Sequence, residues 1–107
     1  MEVFEQIKNI IVDETNPQQI ILFGSRARGD NRPDSDYDLL IVFAKPYEVS
    51  PGLHPVDKIY RAFYKRKIRV STDILAVTSD KYDELSEETG LIYNHVKKEG
   101  KIIYSHV

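Results

Sequence analysis

The sequence predicts one small α/β domain, a mixed β-sheet flanked by helices, on three observations. Short β-branched runs alternate with segments of helical periodicity. Glycines and prolines fall between those segments rather than inside them. The 107-residue length suits one hydrophobic core and no more. The balance of 41% hydrophobic and 30% charged residues is that of a chain that folds.

The elements follow in order. Val3, Ile7, Ile10 and Ile11 recur at helical spacing and Asn16-Pro17 supplies a stop, so a helix is expected over residues 2–14. Gln19 to Phe23 (QIILF) reads as a buried strand ended by a sharp turn at Gly24, and Tyr37 to Phe43 (YDLLIVF) as a second strand. The connection between them, GSRARGDNRPDS, has room for one short helical turn at most. AKPYEVSPGLHP is a loop by composition, and Val56, Ile59, Tyr60 and Phe63 then mark a helix ending in the basic run Lys65, Arg66, Lys67 and Arg69. A third strand is expected from Arg69 to Val77. After it Ser79 or Asp80 would cap a helical region, broken at Gly90, that reaches Lys98. Gly100 would cap that region's C-terminus, and KIIYS would be a last strand. No repeat, low-complexity tract or linker divides residues 1–107, and the predicted order is αβ(turn)βαβααβ.

Charge and composition narrow the function. Fifteen basic against 17 acidic side chains give a formal charge of −2, which argues against a general DNA-binding protein. There is no cysteine, hence no disulfide or thiolate metal site. The N-terminus MEVFEQIKNIIVDE lacks the features of a signal peptide and no stretch is long enough to span a bilayer, so a cytoplasmic protein without membrane contact is expected.

Alternation along a strand puts Asp36 and Asp38 on one face with Leu40 and Val42, roughly 7 Å apart along the backbone. The same parity in the third strand puts Asp73 with Leu75 and Val77. Carboxylates on faces built for burial need compensation for their charge. If the two strands are neighbours, three such groups would repel and raise one another's pKa unless a cation intervened. Oxygen-only donors suit Mg²⁺, and a pair of such ions is the usual clamp for displacement at phosphorus. In the preceding turn Gly24 allows a tight reversal. Ser25 with the following amides can hold phosphate oxygens, Arg26 and Arg28 can neutralise a triphosphate, and Gly29 permits close approach.

Other readings of these residues fail. An EF-hand loop would need Gly and Glu where the chain has Leu39 and Lys45. GSRARG is neither a Walker A loop nor GxGxxG. A solvated Asx turn leaves Asp73 and the apolar parity unexplained. Arg28-Gly29-Asp30 is treated as a coincidental adhesion tripeptide. His54, His95 and His106 have no ligand spacing and are expected at the surface or in packing. Tyr60, Phe63 and Tyr64 are expected in the core or a subunit contact, and the run Lys65 to Arg69 as a solvated helix end, with contact to an RNA or an acidic partner as its alternative reading.

Gly24-Ser25, ten residues, then Asp36-x-Asp38, with Asp73 on a later strand, resembles the DNA polymerase beta-like nucleotidyltransferase superfamily. The compact form GSRARGD…SDYDLLIV resembles its minimal nucleotidyltransferase (MNT) family, which includes antitoxins paired with HEPN-domain toxins. The resemblance implies the nucleotidyltransferase fold and transfer of AMP from Mg·ATP to a hydroxyl with release of pyrophosphate. It implies that Asp36 and Asp38 bind two Mg²⁺ ions and that Asp73 completes the metal that activates the acceptor. Gly24 and Ser25 would hold the β- and γ-phosphates, with Arg26 and Arg28 as nucleotide-binding neighbours. Because no second domain follows to select an acceptor, the acceptor is expected on a partner protein. It would be a tyrosine of a HEPN ribonuclease toxin, AMPylated within a type VII-like toxin–antitoxin pair. Two alternatives remain at this stage: an antitoxin that neutralises by binding alone, and a small-molecule or RNA nucleotidyltransferase with a helical partner subunit.

Overall fold

The computed structural model describes residues 2–106. Its elements are α1 (Val3–Thr15), β1 (Gln19–Phe23), α2 (Ser25–Arg28), β2 (Tyr37–Phe43), α3 (Pro55–Lys65), β3 (Thr72–Thr78), α4 (Ser79–Leu85), α5 (Ile92–Glu99) and β4 (Lys101–Ser105). This is the predicted order. The four strands form one mixed sheet in the order β3-β2-β1-β4. β1 is antiparallel to β2 and to β4, while β2 and β3 run parallel through the α3 crossover.

The central strands are apolar without alternation because both of their faces are covered. Ile20, Leu22, Leu39, Ile41 and Phe43 meet Ile7, Ile10 and Ile11 of α1 and Ile59 and Phe63 of α3. Ile21, Phe23, Leu40 and Val42 meet Val77 and Val96 on the other side, with Tyr82 and Tyr93 packed around them. Each fully buried Leu, Ile or Val stabilises the fold by about 1.5–3 kcal/mol relative to an exposed one, so the register of β1 against β2 is firmly set.

Several boundaries differ from the sequence expectation. β3 starts at Thr72, not Arg69, because β2 offers a ladder partner only from Tyr37, whose N–H donates to the Ser71 carbonyl at 3.0 Å. Residues 66–71 instead turn, with Lys67 in the left-handed region at φ 58°. The cap of α4 is neither Ser79 nor Asp80: the Thr78 hydroxyl accepts from the Lys81 N–H at 3.4 Å. The break in the helical region spans residues 86–91 and includes Gly90 at φ 96°. Gly100 does end α5, but in extended backbone at φ −71°. Its lack of a side chain is used for packing, since a Cβ there would stand 2.5 Å from the Val96 carbonyl oxygen and 2.6 Å from Ile21 Cγ2. His54 caps α3, its Nδ1 accepting from the Val56 N–H at 3.1 Å. Of the three aromatics expected in the core or a subunit contact, Phe63 is core, whereas Tyr60 is 40% and Tyr64 85% exposed and neither belongs to the core.

Candidate active site

One end of the sheet gathers the predicted residues. β1 ends at Phe23 and the chain reverses at Gly24, whose φ 74° and ψ −157° belong to a region that glycine alone occupies readily. The Gly24 carbonyl then accepts from the Ala27 and Arg28 N–H groups, both at 3.1 Å, and starts the single turn of α2. Gly29 at φ 85° closes that turn, its N–H donating to the Ser25 carbonyl at 2.9 Å. Gly24 has a second reason to lack a side chain: a Cβ there would overlap the Asp38 carboxylate and lie 3.1 Å from its Cγ. The turn and the second carboxylate of the DxD pair are therefore packed against each other.

β2 and β3 run parallel in a register that sets Asp38 directly beside Asp73. Asp36 stands before the first residue of β2. Strand parity predicts these acids on faces built for burial, and the structure corrects this. Asp36 and Asp73 are exposed and only Asp38 is partly buried, because the apolar covering of that face begins one step further along, at Leu40 and Leu75. Among the described residues no three His, Cys, Asp or Glu side chains converge tightly enough to hold a metal ion as they stand. What the fold supplies is the register and the field. Desolvation, then the charge of Asp73 and that of Asp36, push the Asp38 carboxyl above its ordinary pKa, with Arg28 pulling the other way. An all-oxygen donor set with an unfavourable excess of negative charge has the chemistry that fits Mg²⁺.

The two arginines have separate environments. The Arg26 guanidinium donates through Nε to the Ser35 carbonyl at 3.0 Å and through Nη2 to the Pro33 carbonyl at 3.1 Å. It also lies 4.0 Å above the Tyr37 ring, against which Phe4 of α1 stacks with centroids 5.4 Å apart. Arg26 thus ties α2 to the loop that delivers Asp36 and to the start of β2. Arg28 is more exposed and lies among acids: its Nε is 3.2 Å from Asp30 Oδ2 and its Nη1 3.8 Å from Glu99 Oε2. Glu99 is also 3.0 Å from His95 Nε2. Neither Glu99 nor Tyr37 was singled out as a site residue by sequence. Tyr37 could have been, as the residue between the two aspartates of the DxD pair.

A recess of about 520 Å³ opens at the other end of the sheet, lined by Asn16, Pro17, Phe43, Tyr47, Pro55 and His106 among others. It is a full strand length from the carboxylates and takes no part in this site. No described helix is long and apolar enough to cross a membrane.

Comparison with known proteins agrees with this geometry. No curated protein matches the sequence. A solved structure from Sulfolobus solfataricus, assigned as a nucleotidyltransferase, superposes with TM-score 0.56 at 23% identity, over 97% of this chain and 78% of that one. A toxin–antitoxin structure with AMP-PNP gives TM-score 0.60 at 20% identity, covering 99% of this chain and 75% of that chain. A double Asp→Glu variant of the toxin–antitoxin MntA-HpeT gives 0.59 at 18%, with the same coverage. These likenesses establish the fold. The model of the family described as polymerase beta, nucleotidyltransferase matches residues 5–106. With nearly the whole chain matched, the protein belongs to the polymerase beta nucleotidyltransferase family.

Proposed function

We propose that the protein transfers AMP from ATP to a hydroxyl of a partner protein, a tyrosine of a HEPN-domain toxin, and so serves as the antitoxin of a toxin–antitoxin pair. The observation that carries the reading is the packing of the Gly24-Ser25 turn onto Asp38 with Asp73 in register beside it. This joins a phosphate-binding turn to a hard-cation donor set at one sheet end. The toxin–antitoxin likenesses support the partner class, one of them with AMP-PNP. The other carries substitutions at two aspartates that stand two residues apart, the spacing of Asp36 and Asp38.

In this reading Asp36, Asp38 and Asp73 would hold Mg²⁺, which when bound would supply positive charge to offset that of the triphosphate and favour displacement at the α-phosphorus. Ser25 and the amides of α2 orient the β- and γ-phosphates. Arg28, exposed and close enough to lower the Asp38 pKa, meets the leaving pyrophosphate. Arg26 is a positioning residue that fixes the loop carrying Asp36. Asp73, on the exposed edge strand, faces the acceptor and takes its proton. The hydroxyl oxygen bonds to the α-phosphorus, the bond from that phosphorus to the bridging oxygen breaks, and pyrophosphate leaves.

The test is incubation with Mg²⁺, ATP and the protein encoded by the adjoining gene, followed by peptide mass spectrometry. The expected result is one or more AMP additions on a tyrosine of that protein, absent with Asp36→Asn/Asp38→Asn. Unmodified partner with each of the four ribonucleoside triphosphates refutes the reading.

A further inference from the structure

The basic segment of α3 and the turn after it lies outside the site and the proposed function does not use it. Between Pro55 and Thr72 stand Lys58, Arg61, Lys65, Arg66, Lys67 and Arg69 against a single carboxylate, Asp57, in a chain whose formal charge is −2. None of the six cations forms an ion pair among the described residues. Asp57 is engaged elsewhere, its Oδ2 accepting from the Gly52 N–H at 2.9 Å. Lys58, Arg61 and Lys65 share one helix face and form a ridge about 10 Å long. Glu14 is the one acid that borders the shallow hollow along this ridge. The helix dipole favours Lys65 in the last turn but not Lys58 or Arg61, and like charges at this spacing disfavour the helix, so the ridge as a whole is not explained by the stability of α3.

The surroundings indicate what kind of surface this is. Tyr64 stands beside Lys65 almost wholly in solvent, and Tyr60 donates its hydroxyl hydrogen to the Thr72 carbonyl at 3.1 Å. Arg61 Nη2 donates to the Gly52 carbonyl at 2.9 Å and so anchors a loop that exposes Val49 and Leu53. Tyr, Arg and exposed aliphatic groups around a charged ridge are the composition of a protein interface. A nucleic acid would meet less favourable terms. Its long charged backbone senses the whole molecule, which is net acidic and carries Asp80, Asp83, Glu84, Glu87 and Glu88 along α4 and the turn after it. A compact acidic patch on a folded partner senses only the ridge within a Debye length of about 8 Å. The position also fits. Arg69 precedes Asp73 by four residues, which bounds their Cα separation at roughly 14 Å. The end of the patch toward Arg69 is thus the end nearest the carboxylates, while Lys58 lies at the far end, beside the recess.

We infer that α3, from Lys58 to Lys65, with the turn through Arg69 and the exposed Tyr64, is the docking surface for an acidic face of the protein that carries the acceptor hydroxyl. This rests on the proposed function for the partner's role as acceptor, but not for its charge. The expected partner is a folded protein whose acceptor lies within one interface radius of clustered Asp and Glu residues.

The experiment compares the intact protein with Lys58→Glu/Lys65→Glu/Arg66→Glu, and with Lys58→Arg/Lys65→Arg as the charge-preserving control. Binding to the purified product of the adjoining gene is followed by surface interferometry at low and high salt, with single-stranded poly-uridine RNA as a parallel probe. Thermal melting and Mg²⁺-dependent binding of a fluorescent ATP analogue verify that each variant is folded and holds nucleotide. The inference predicts that charge reversal weakens partner binding by roughly 100-fold, mostly through slower association, while the arginine control and nucleotide binding stay unchanged. It also predicts that wild-type affinity falls as salt rises. Unchanged affinity of the charge-reversed variant overturns it, as does failure of the wild type to bind that protein. Tight, ridge-dependent binding of poly-uridine by the wild type in place of the protein overturns it in favour of a nucleic-acid partner. Ridge-dependent binding without AMP transfer leaves the docking surface standing and removes the transferase reading. Transfer at an unchanged rate by the charge-reversed variant does the reverse.

Discussion

Asp38 carries opposing demands. Its carboxyl is held above its ordinary pKa by desolvation and by Asp73 and Asp36, so in the metal-free fold its negative charge is a liability. The folded state holds that proton more tightly than the unfolded chain. The contribution of Asp38 to the stability of the metal-free protein therefore rises as pH falls into the titration range of this group, and is lost again as pH climbs back through the raised pKa. Asp38→Asn should thus raise the melting temperature of metal-free protein, by an amount reduced by solvent screening of a partly exposed group. The same substitution should abolish transfer. A lower melting temperature in EDTA would contradict the charge argument. For the arginines the expectation is a division of effects. Arg26→Ala should cost about 1–2 kcal/mol of stability, because it removes two hydrogen bonds and the contact with Tyr37. It should lower kcat more than it raises KM for ATP. Arg28→Ala should mainly raise KM for ATP, and steady-state kinetics with a fixed acceptor separates the two. The pair was legible in sequence as cations beside a triphosphate motif. Their different environments were not, since the Ser35 and Pro33 carbonyls come within reach of Arg26 only once residues 30–36 have folded back on α2.

Among the elements, the two central strands were readable because burial on both faces leaves a continuous apolar run with a glycine or loop at its end. β3 was readable in kind but not in its start, which is fixed by where β2 begins to offer partners, a property of pairing rather than of residues 69–71. The helix caps depended on details of the same sort: Thr78 rather than its neighbours, and His54 through a ring nitrogen. Gly100 is the expected C-terminal cap, but the sequence did not show why it must be glycine: the close approach of Ile21 and Val96 excludes a side chain. Gly100→Ala should therefore destabilise by about 1–3 kcal/mol through overpacking, seen as a lower urea midpoint. Gly24→Ala should be at least as costly. Strained backbone adds to the collision with Asp38, so loss of activity should accompany loss of stability. An alanine at Gly100 without measurable effect would show that β4 and α5 can separate, and that the packing there is looser than described.

At the scale of the whole molecule, the sheet separates two kinds of surface. One end holds the carboxylates and the α2 turn, while α3 presents an uncompensated basic ridge on the face shared with α1. The fold class and the carboxylate pattern could be read from residue order, because spacing along strands fixes parity. The ridge could be read as a run of charge with an RNA or an acidic partner as one reading, without anything to choose between them. That its cations form no ion pair among the described residues, and that Tyr64 stands outside the core beside them, depends on how α3 lies on the sheet. The carboxylates are also less enclosed than their apolar neighbours suggested, which leaves Asp73 open to an acceptor from outside the chain. Mg²⁺ should accordingly raise the melting temperature of the wild type but not of Asp36→Asn/Asp38→Asn, and the gain should shrink as pH falls and protons compete for Asp38. Differential scanning fluorimetry across a pH series checks it.

The most direct measurement follows the phosphorus. The protein, Mg²⁺ and the adjoining gene product are incubated in parallel with ATP labelled at the α- or at the γ-phosphate. The account predicts label on the partner from α-labelled ATP only, with labelled pyrophosphate released from the γ-labelled nucleotide, and neither with Asp38→Asn. Label from the γ-phosphate, or partner left unlabelled by either nucleotide, would contradict it.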